Sequence, residues 1–281
     1  MRFFSYFILF LFNSCIAFAQ KNDTLHFIWT NDTITGKLVE KTAIFLPVTL
    51  KNNKKTCFFQ LDTGAEDSYL YTADTTSFLD LGINANASEL ESTLGTIRLV
   101  SLPSSMPYMI GNQLVIGTIG IDFLVNKTIE IDYVNQRIVI LSNVDTSLYT
   151  FLPSGLSFSR PTILLKINNR TSEFLFDTGS SMFDLITTQK IVKQLRVPKS
   201  TREEIPISSW GKIITAISFD LNSKVISHYP AMNLNKVTYF DERGYSRQLK
   251  GAKIDGIIGN HPFLETQLLI DLKNNRIGIR K

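Results

Sequence analysis

The sequence predicts an all-β protein of two related lobes. Three observations carry this prediction. Apolar stretches are short and rich in β-branched and aromatic residues, turn formers separate them, and one set of motifs occurs twice in the same order along the 281 residues. With 44% hydrophobic and 19% charged residues, the chain has the makeup of a protein that buries its own core, which excludes disordered and collagen-like classes. The net charge is +4 with both signs interspersed, so no basic footprint for DNA or RNA stands out.

Residues 1–19 read as a secretory signal peptide, with Arg2, an apolar run from Phe3 to Phe12, and small residues at Ala17 and Ala19 ahead of Gln20. The run is too short to span a bilayer comfortably, so cleavage after Ala19 and no lasting membrane insertion are expected. Cys15 offers a lipid anchor as the minor alternative, although Phe12-Asn13-Ser14 fits a bacterial lipobox poorly. Export would leave Cys57 as the one thiol of the mature chain, without an internal disulfide, and Cys57 reads as a buried strand residue. The leader suits a Gram-negative exporter, with a periplasmic or extracellular destination.

The first lobe is assigned to 20–141. Strands at Ala43 to Leu50 and Thr56 to Leu61 lead into Asp62-Thr63-Gly64; a glycine hairpin follows at Leu94-Gly95-Thr96-Ile97, then Thr118-Ile119-Gly120. A short helix at Phe123 to Asn126 precedes a hairpin from Ile129 to Leu141 that turns at Asn135-Gln136. Residues 142–161 hold Asn143, Asp145, Pro153, Ser154 and Gly155 with weak periodicity, and read as an inter-lobe linker.

The second lobe, 162–281, repeats the sequence of signals. Strands at Ile163 to Ile167 and Glu173 to Phe176 lead into Asp177-Thr178-Gly179, offset by 115 from the first triad (62 to 177). A helix is expected at Thr187 to Leu195. Trp210-Gly211-Lys212-Ile213 answers the first hairpin at an offset of 116 (95 to 211), and Ile257-Ile258-Gly259 answers Thr118-Ile119-Gly120 at 139 (120 to 259). A short helix at Pro262 to Thr266 follows, then Ile270 to Ile279, which matches Ile131 to Ile140 at six of ten positions with Asn274-Asn275 at the turn. The jump in offset assigns about 23 extra residues to a surface insertion near 222–253, where a substrate-shaping role is open.

A single Asp-Thr-Gly is expected by chance in about one chain of this length in twenty and suits a simple turn after a strand. Two copies, each with a following glycine hairpin and apolar-Gly element at matched spacing, call for chemistry. Amide hydrolysis needs a base to activate water and an acid to polarise the carbonyl and protonate the leaving nitrogen, and two adjacent carboxyls sharing one proton fill both roles. His26, His228 and His261 lack metal-type spacing, and no HExxH, GxSxG or P-loop pattern occurs, so no metal or cofactor is expected.

On these motifs the chain resembles the two-lobed aspartic proteases of the pepsin and retropepsin superfamily, over about Leu25 to Lys281. The resemblance implies two β-barrel-like lobes with a peptide-binding cleft between them, Asp62 and Asp177 as the catalytic pair, and Thr63, Gly64, Thr178, Gly179 and Ser180 as its supports. It implies an exported endopeptidase, monomeric because one chain supplies both halves of the site; a binding or structural protein that has lost catalysis is the alternative. Leu94, Gly95, Trp210 and Gly211 become candidates for a substrate-covering flap. The tyrosine usual before the flap glycine is absent, and Thr118 stands where an apolar residue is usual. A hydroxyl after the triad, present as Ser180 and replaced by Ala65 in the first lobe, implies a hydrogen bond that makes Asp177 the more readily ionised member.

Overall fold

A computed structural model describes residues 23–34, 36–209, 212–227, 232–242 and 244–281. Residues 1–19 with Cys15, where a signal peptide is expected, and the flap candidates Trp210 and Gly211 lie outside the described residues. Strand accounts for 51% of the chain and helix for 13%, which makes the protein all-β.

The first half contains β1 (Asp23–His26), β2 (Ile28–Ile34), β3 (Lys37–Thr49), β4 (Thr56–Leu61), β5 (Tyr69–Tyr71), β6 (Glu89–Ser92), β7 (Gly95–Arg98) and β8 (Val100–Leu102). It continues with β9 (Tyr108–Ile110), β10 (Gln113–Ile119), β11 (Thr128–Asp132) and β12 (Arg137–Leu141). The second half contains β13 (Tyr149–Leu152), β14 (Ser154–Ser157), β15 (Arg160–Ile167), β16 (Arg170–Phe176), β17 (Leu185–Thr187) and β18 (Glu203–Ser209). It ends with β19 (Lys212–Asp220), β20 (Ile226–Ser227), β21 (Lys236–Phe240), β22 (Gly256–Ile258), β23 (Gln267–Asp271) and β24 (Arg276–Arg280). Three α-helices interrupt them: α1 (Thr76–Leu81), α2 (Gln189–Leu195) and α3 (Tyr245–Gly251).

The repeat in sequence is a repeat in topology. One sheet runs β2-β3-β4-β10-β5-β8; another runs β14-β15-β16-β22-β17-β21 and continues into β19-β18. In each, the strand leading to an Asp-Thr-Gly lies parallel to the strand carrying the apolar-Gly element, with Leu61 beside Ile119 and Phe176 beside Ile258. Alternation drives β4 inward: Cys57, Phe59 and Leu61 are buried in the main core, where burial pushes the Cys57 thiol up to about 12. The end strands of these sheets do not pair with one another among the described residues, so the sheets are open where closed barrels were expected.

A third sheet, β1-β12-β11-β23-β24-β13, joins the halves. At its centre β11 and β23 run antiparallel, with Thr128 opposite Asp271, Glu130 opposite Leu269 and Asp132 opposite Gln267. Under the offset of 139 this register maps onto itself, so a local twofold axis passes through the Glu130–Leu269 pair. Segment 142–161 is built into the sheets: β13 pairs with β24 and β14 with β15. The extra residues of the second half also resolve. Leu70 lies beside Ser101 and Leu185 beside Val237, an offset of 136 at β21, so about twenty of them enter before that inner strand, in the longer β18–β19 hairpin and around 221–235.

Candidate active site

Both Asp-Thr-Gly loops leave the ends of their parallel strand pairs and meet across the interface of the halves. The backbone N–H of Asp62 donates to Ile119 O at 3.0 Å, and that of Asp177 to Ile258 O at 2.9 Å. Thr63 and Thr178, both fully buried, lock the loops together. Thr178 Oγ1 accepts from Thr63 N at 2.9 Å and donates to Leu61 O at 3.0 Å; Thr63 Oγ1 accepts from Thr178 N at 3.1 Å and donates to Phe176 O at 2.8 Å. Both hydroxyls are thus spent on the opposite loop, and a hydroxyl is needed where one side chain must both donate and accept.

The glycines bring the carboxyls together. A Cβ on Gly64 would lie 2.7 Å from Asp177 Cγ, and one on Gly179 would lie 2.7 Å from Asp62 Cγ. Each carboxyl therefore rests on the glycine of the other loop, and the two hydrogen-bond each other. The apolar-Gly elements have a related cause, because a side chain at Gly120 or Gly259 would strike the Asp67 or Ser180 carbonyl of the adjoining loop.

The support is unequal. Asp62 Oδ1 accepts from Gly64 N at 2.9 Å and Ala65 N at 3.0 Å; Asp177 Oδ1 accepts from Gly179 N at 2.8 Å and is also faced by the Gly64 N–H. Burial raises both carboxyls above the usual carboxylate range. For Asp177 the charge of Asp62 and the bond between the two carboxyls add to the rise against the N–H groups of Gly179 and Gly64, whereas for Asp62 the bond with Asp177, the N–H groups of Gly64 and Ala65 and the Arg160 guanidinium hold it back. The support expected from the Ser180 hydroxyl is not in place. Among the described residues the Ser180 hydroxyl reaches no oxygen of Asp177; the residue acts through its backbone, closing the turn on Asp177 O at 3.1 Å and accepting Asn260 N at 3.0 Å.

Leu94 and Gly95 are not brought to the pair. The arms of the β6–β7 hairpin are only four residues each and are used in burying Leu90 and Ile97, while its turn docks on the β3–β4 connection. Ser92 bridges to Leu50 and Thr93 N donates to Thr49 O at 2.9 Å, at the far end of β4, about 20 Å along the strand from Asp62. The longer β18–β19 hairpin instead packs Ile205, Ile207, Ile214 and Ala216 against Phe183, Ile257 and Tyr245, beside Asp177.

Thr118 is buried and its Oγ1 lies 2.6 Å from the Tyr71 hydroxyl. The second half has Ile257 in the place of Thr118, with Ile186 opposite it as Tyr69 is opposite Thr118, so the hydroxyl contact belongs to the first half. Sequence reading singled out Thr118 but missed its partner Tyr71, as well as Tyr245 and Tyr108, which follow β21 and β8 at an offset of 137; comparing the halves residue by residue after the hairpins would have exposed them. A separate cavity of about 330 Å³ is lined by Met182, Asp184, Glu203, Lys236 and His261 among others, and by neither aspartate. Its charges pair internally, Asp184 with His261 at 2.5 Å and Lys236 with Glu203 at 2.7 Å. Among the described residues no cluster of three His, Cys, Asp or Glu side chains forms a metal site. No known protein-family model and no curated protein sequence matches the chain.

Proposed function

We propose that the chain is an aspartic endopeptidase with the two-lobed architecture of the pepsin and retropepsin superfamily, acting on extended peptide or unfolded protein substrates without a cofactor. One observation carries the reading: each aspartate lies against the glycine of the opposite loop, so two carboxyls, that of the buried Asp62 and that of the partly exposed Asp177, share a site that neither half forms alone. Two carboxylates this close do not both ionise cheaply, and the pair keeps one proton. The ionised member takes a proton from water as the water oxygen bonds to the peptide carbonyl carbon, and the protonated member gives its proton to the carbonyl oxygen. The proton on the first carboxyl then passes to the leaving nitrogen as the C–N bond breaks, while a hydroxyl of the tetrahedral intermediate returns its proton to the second carboxylate, which yields an acid and an amine and restores the pair.

In this reading residues 1–19 direct export and are removed, the protein works in the periplasm or outside the cell, and one chain suffices. The matching test is hydrolysis of an unfolded protein below neutral pH, blocked by a statine-type inhibitor. Asp62→Asn and Asp177→Asn should each lose several orders of magnitude in rate while staying folded. Full activity in either variant refutes the mechanism. The non-catalytic alternative draws on the first-half hairpin, which lies away from the pair; native protein that binds peptides but leaves them uncut would favour it.

A further inference from the structure

We propose that Arg160 is a positioning residue that decides which member of the pair carries the shared proton: it holds Asp62 ionised and leaves the proton on Asp177. The proposal deepens the peptidase reading and rests on it only for its catalytic consequence.

Arg160 opens β15 in the second half, yet its side chain, 12% exposed, ends on the first-half loop. Its Nη1 donates to Gly64 O at 3.1 Å, its Nη2 lies 3.4 Å from Glu66 Oε1, and its Nε donates to Ser157 O at 3.3 Å. The Gly64 carbonyl belongs to the same peptide unit as the Ala65 N–H, which donates to Asp62 Oδ1 at 3.0 Å. A permanent cation on one end of that peptide therefore polarises the N–H at the other end toward the carboxylate.

The second half has the same peptide without the cation. There the Gly179 carbonyl accepts only the neutral amide of Gln60 Nε2, at 3.4 Å, and the following N–H, that of Ser180, goes to Asp177 O instead of the carboxyl. Strand pairing identifies the position that would carry a matching guanidinium. Thr162 lies opposite Leu175 as Phe45 lies opposite Gln60, so the first-half counterpart of Arg160 is Ala43.

Among the described residues the carboxylates on the Asp62 side, Glu66 foremost, work against this bias. From β5, Tyr69 and Tyr71 face Asp62, and from α3 Tyr245 faces Asp177; burial raises all three phenols, which stay neutral across the acid range. Glu66, Asp67 and Asp122 lie near Tyr69 on the Asp62 side, and Glu66 screens Arg160 from a half-exposed position. Asp177 itself is the remaining charge.

The test is a titration of site-resolved aspartate carboxyl carbons by NMR in the purified protein, assigned with Asp62→Asn and Asp177→Asn and run beside the hydrolysis assay. The first carboxyl to ionise should be Asp62. Arg160→Met should weaken its acidity about tenfold, moving that step up by about one pH unit, and Arg160→Lys should move it less. Glu66→Gln, a change at an exposed carboxylate, should move it down. An Asp177-first order, or a step that stays in place in folded Arg160→Met, overturns the proposal; if Arg160→Met does not fold, an unmoved step in Glu66→Gln does so. Failure of hydrolysis with the ordered titration intact would refute the peptidase reading alone.

Discussion

Replacing Gly64 with alanine puts a methyl group where the Asp177 carboxyl now sits. The new Cβ would lie 2.7 Å from Cγ and 2.8 and 2.9 Å from the two oxygens. Carbon atoms in contact rest at about 3.5–4.0 Å, so the groups must separate by about 1 Å. Neither side yields freely, because Gly64 N is bonded to Asp62 Oδ1 and Asp177 is held through its own N–H and by Gly179 N. Overpacking of this kind costs about 1–3 kcal/mol, a fall in Tm of about 2–12 °C for a chain this size. Displacing a reacting group by about 1 Å costs about a hundredfold in rate. Gly179→Ala meets the mirror contact, 2.7 Å from Asp62 Cγ, and should match it in both measures. Gly251→Ala, where a Cβ meets nothing within 4 Å, is the neutral control. Initial rates on an unfolded protein substrate and thermal unfolding curves read the two effects. A Gly64→Ala protein with native rate and native Tm would refute the close approach of the carboxyls.

Tyr245 has a buried hydroxyl without a hydrogen-bond partner among the described residues, so Tyr245→Phe should raise unfolding free energy by about 1–2 kcal/mol in urea titrations; a drop would contradict that geometry. Asp132 and Asp271 are fully buried, and burial alone would raise them. Asn135 and Arg137 around the first, and Arg276, Asn274 and Thr128 around the second, outweigh it and hold both below the usual 3.8. Carboxyls lowered by folding stabilise the native state above their unfolded value and lose that contribution as pH falls through the folded one. Native protein should therefore lose Tm steeply below about pH 4, and the double variant Asp132→Asn/Asp271→Asn should start lower at neutral pH and show a flatter acid slope. An unchanged slope would remove these two residues from the account.

The parts legible in the sequence are those whose cause is local. Thr56 to Leu61 alternates cleanly and has the bounds of β4, and the turn at Asn275 takes the positive φ that asparagine tolerates, as Gln136 does in the matching turn. The triads marked the place where the halves meet because the threonine cross-links and the close approach of each carboxyl to a glycine require those residue types in that order. Strands β13 and β14 were hidden because Pro153, Ser154 and Gly155 signal a turn, while their strand character comes from partners far along the chain in β24 and from β15. The contact behind the proposed proton order was hidden for a related reason: Ala65 and Ser180 are next to the aspartates in sequence, but Arg160 reaches the Gly64 carbonyl only across the interface, and its counterpart Ala43 leaves no trace in the repeat.

The shared sheet also governs how the chain avoids wrong partners. Its central pairing joins residues 141 positions apart, Ile129 with Ile270, so a newly made first half must wait with the edge of β11 bare. The self-mapping register would let two first halves pair β11 to β11, but Glu130 would then face Glu130 across the axis, and like charges directly opposite are unfavourable. In the complete chain that carboxylate faces Leu269 and is held by Tyr149 Oη at 2.5 Å and Arg280 Nη1 at 3.0 Å. The one charged residue at the axis thus makes the second half of the same molecule the preferred completion of the first.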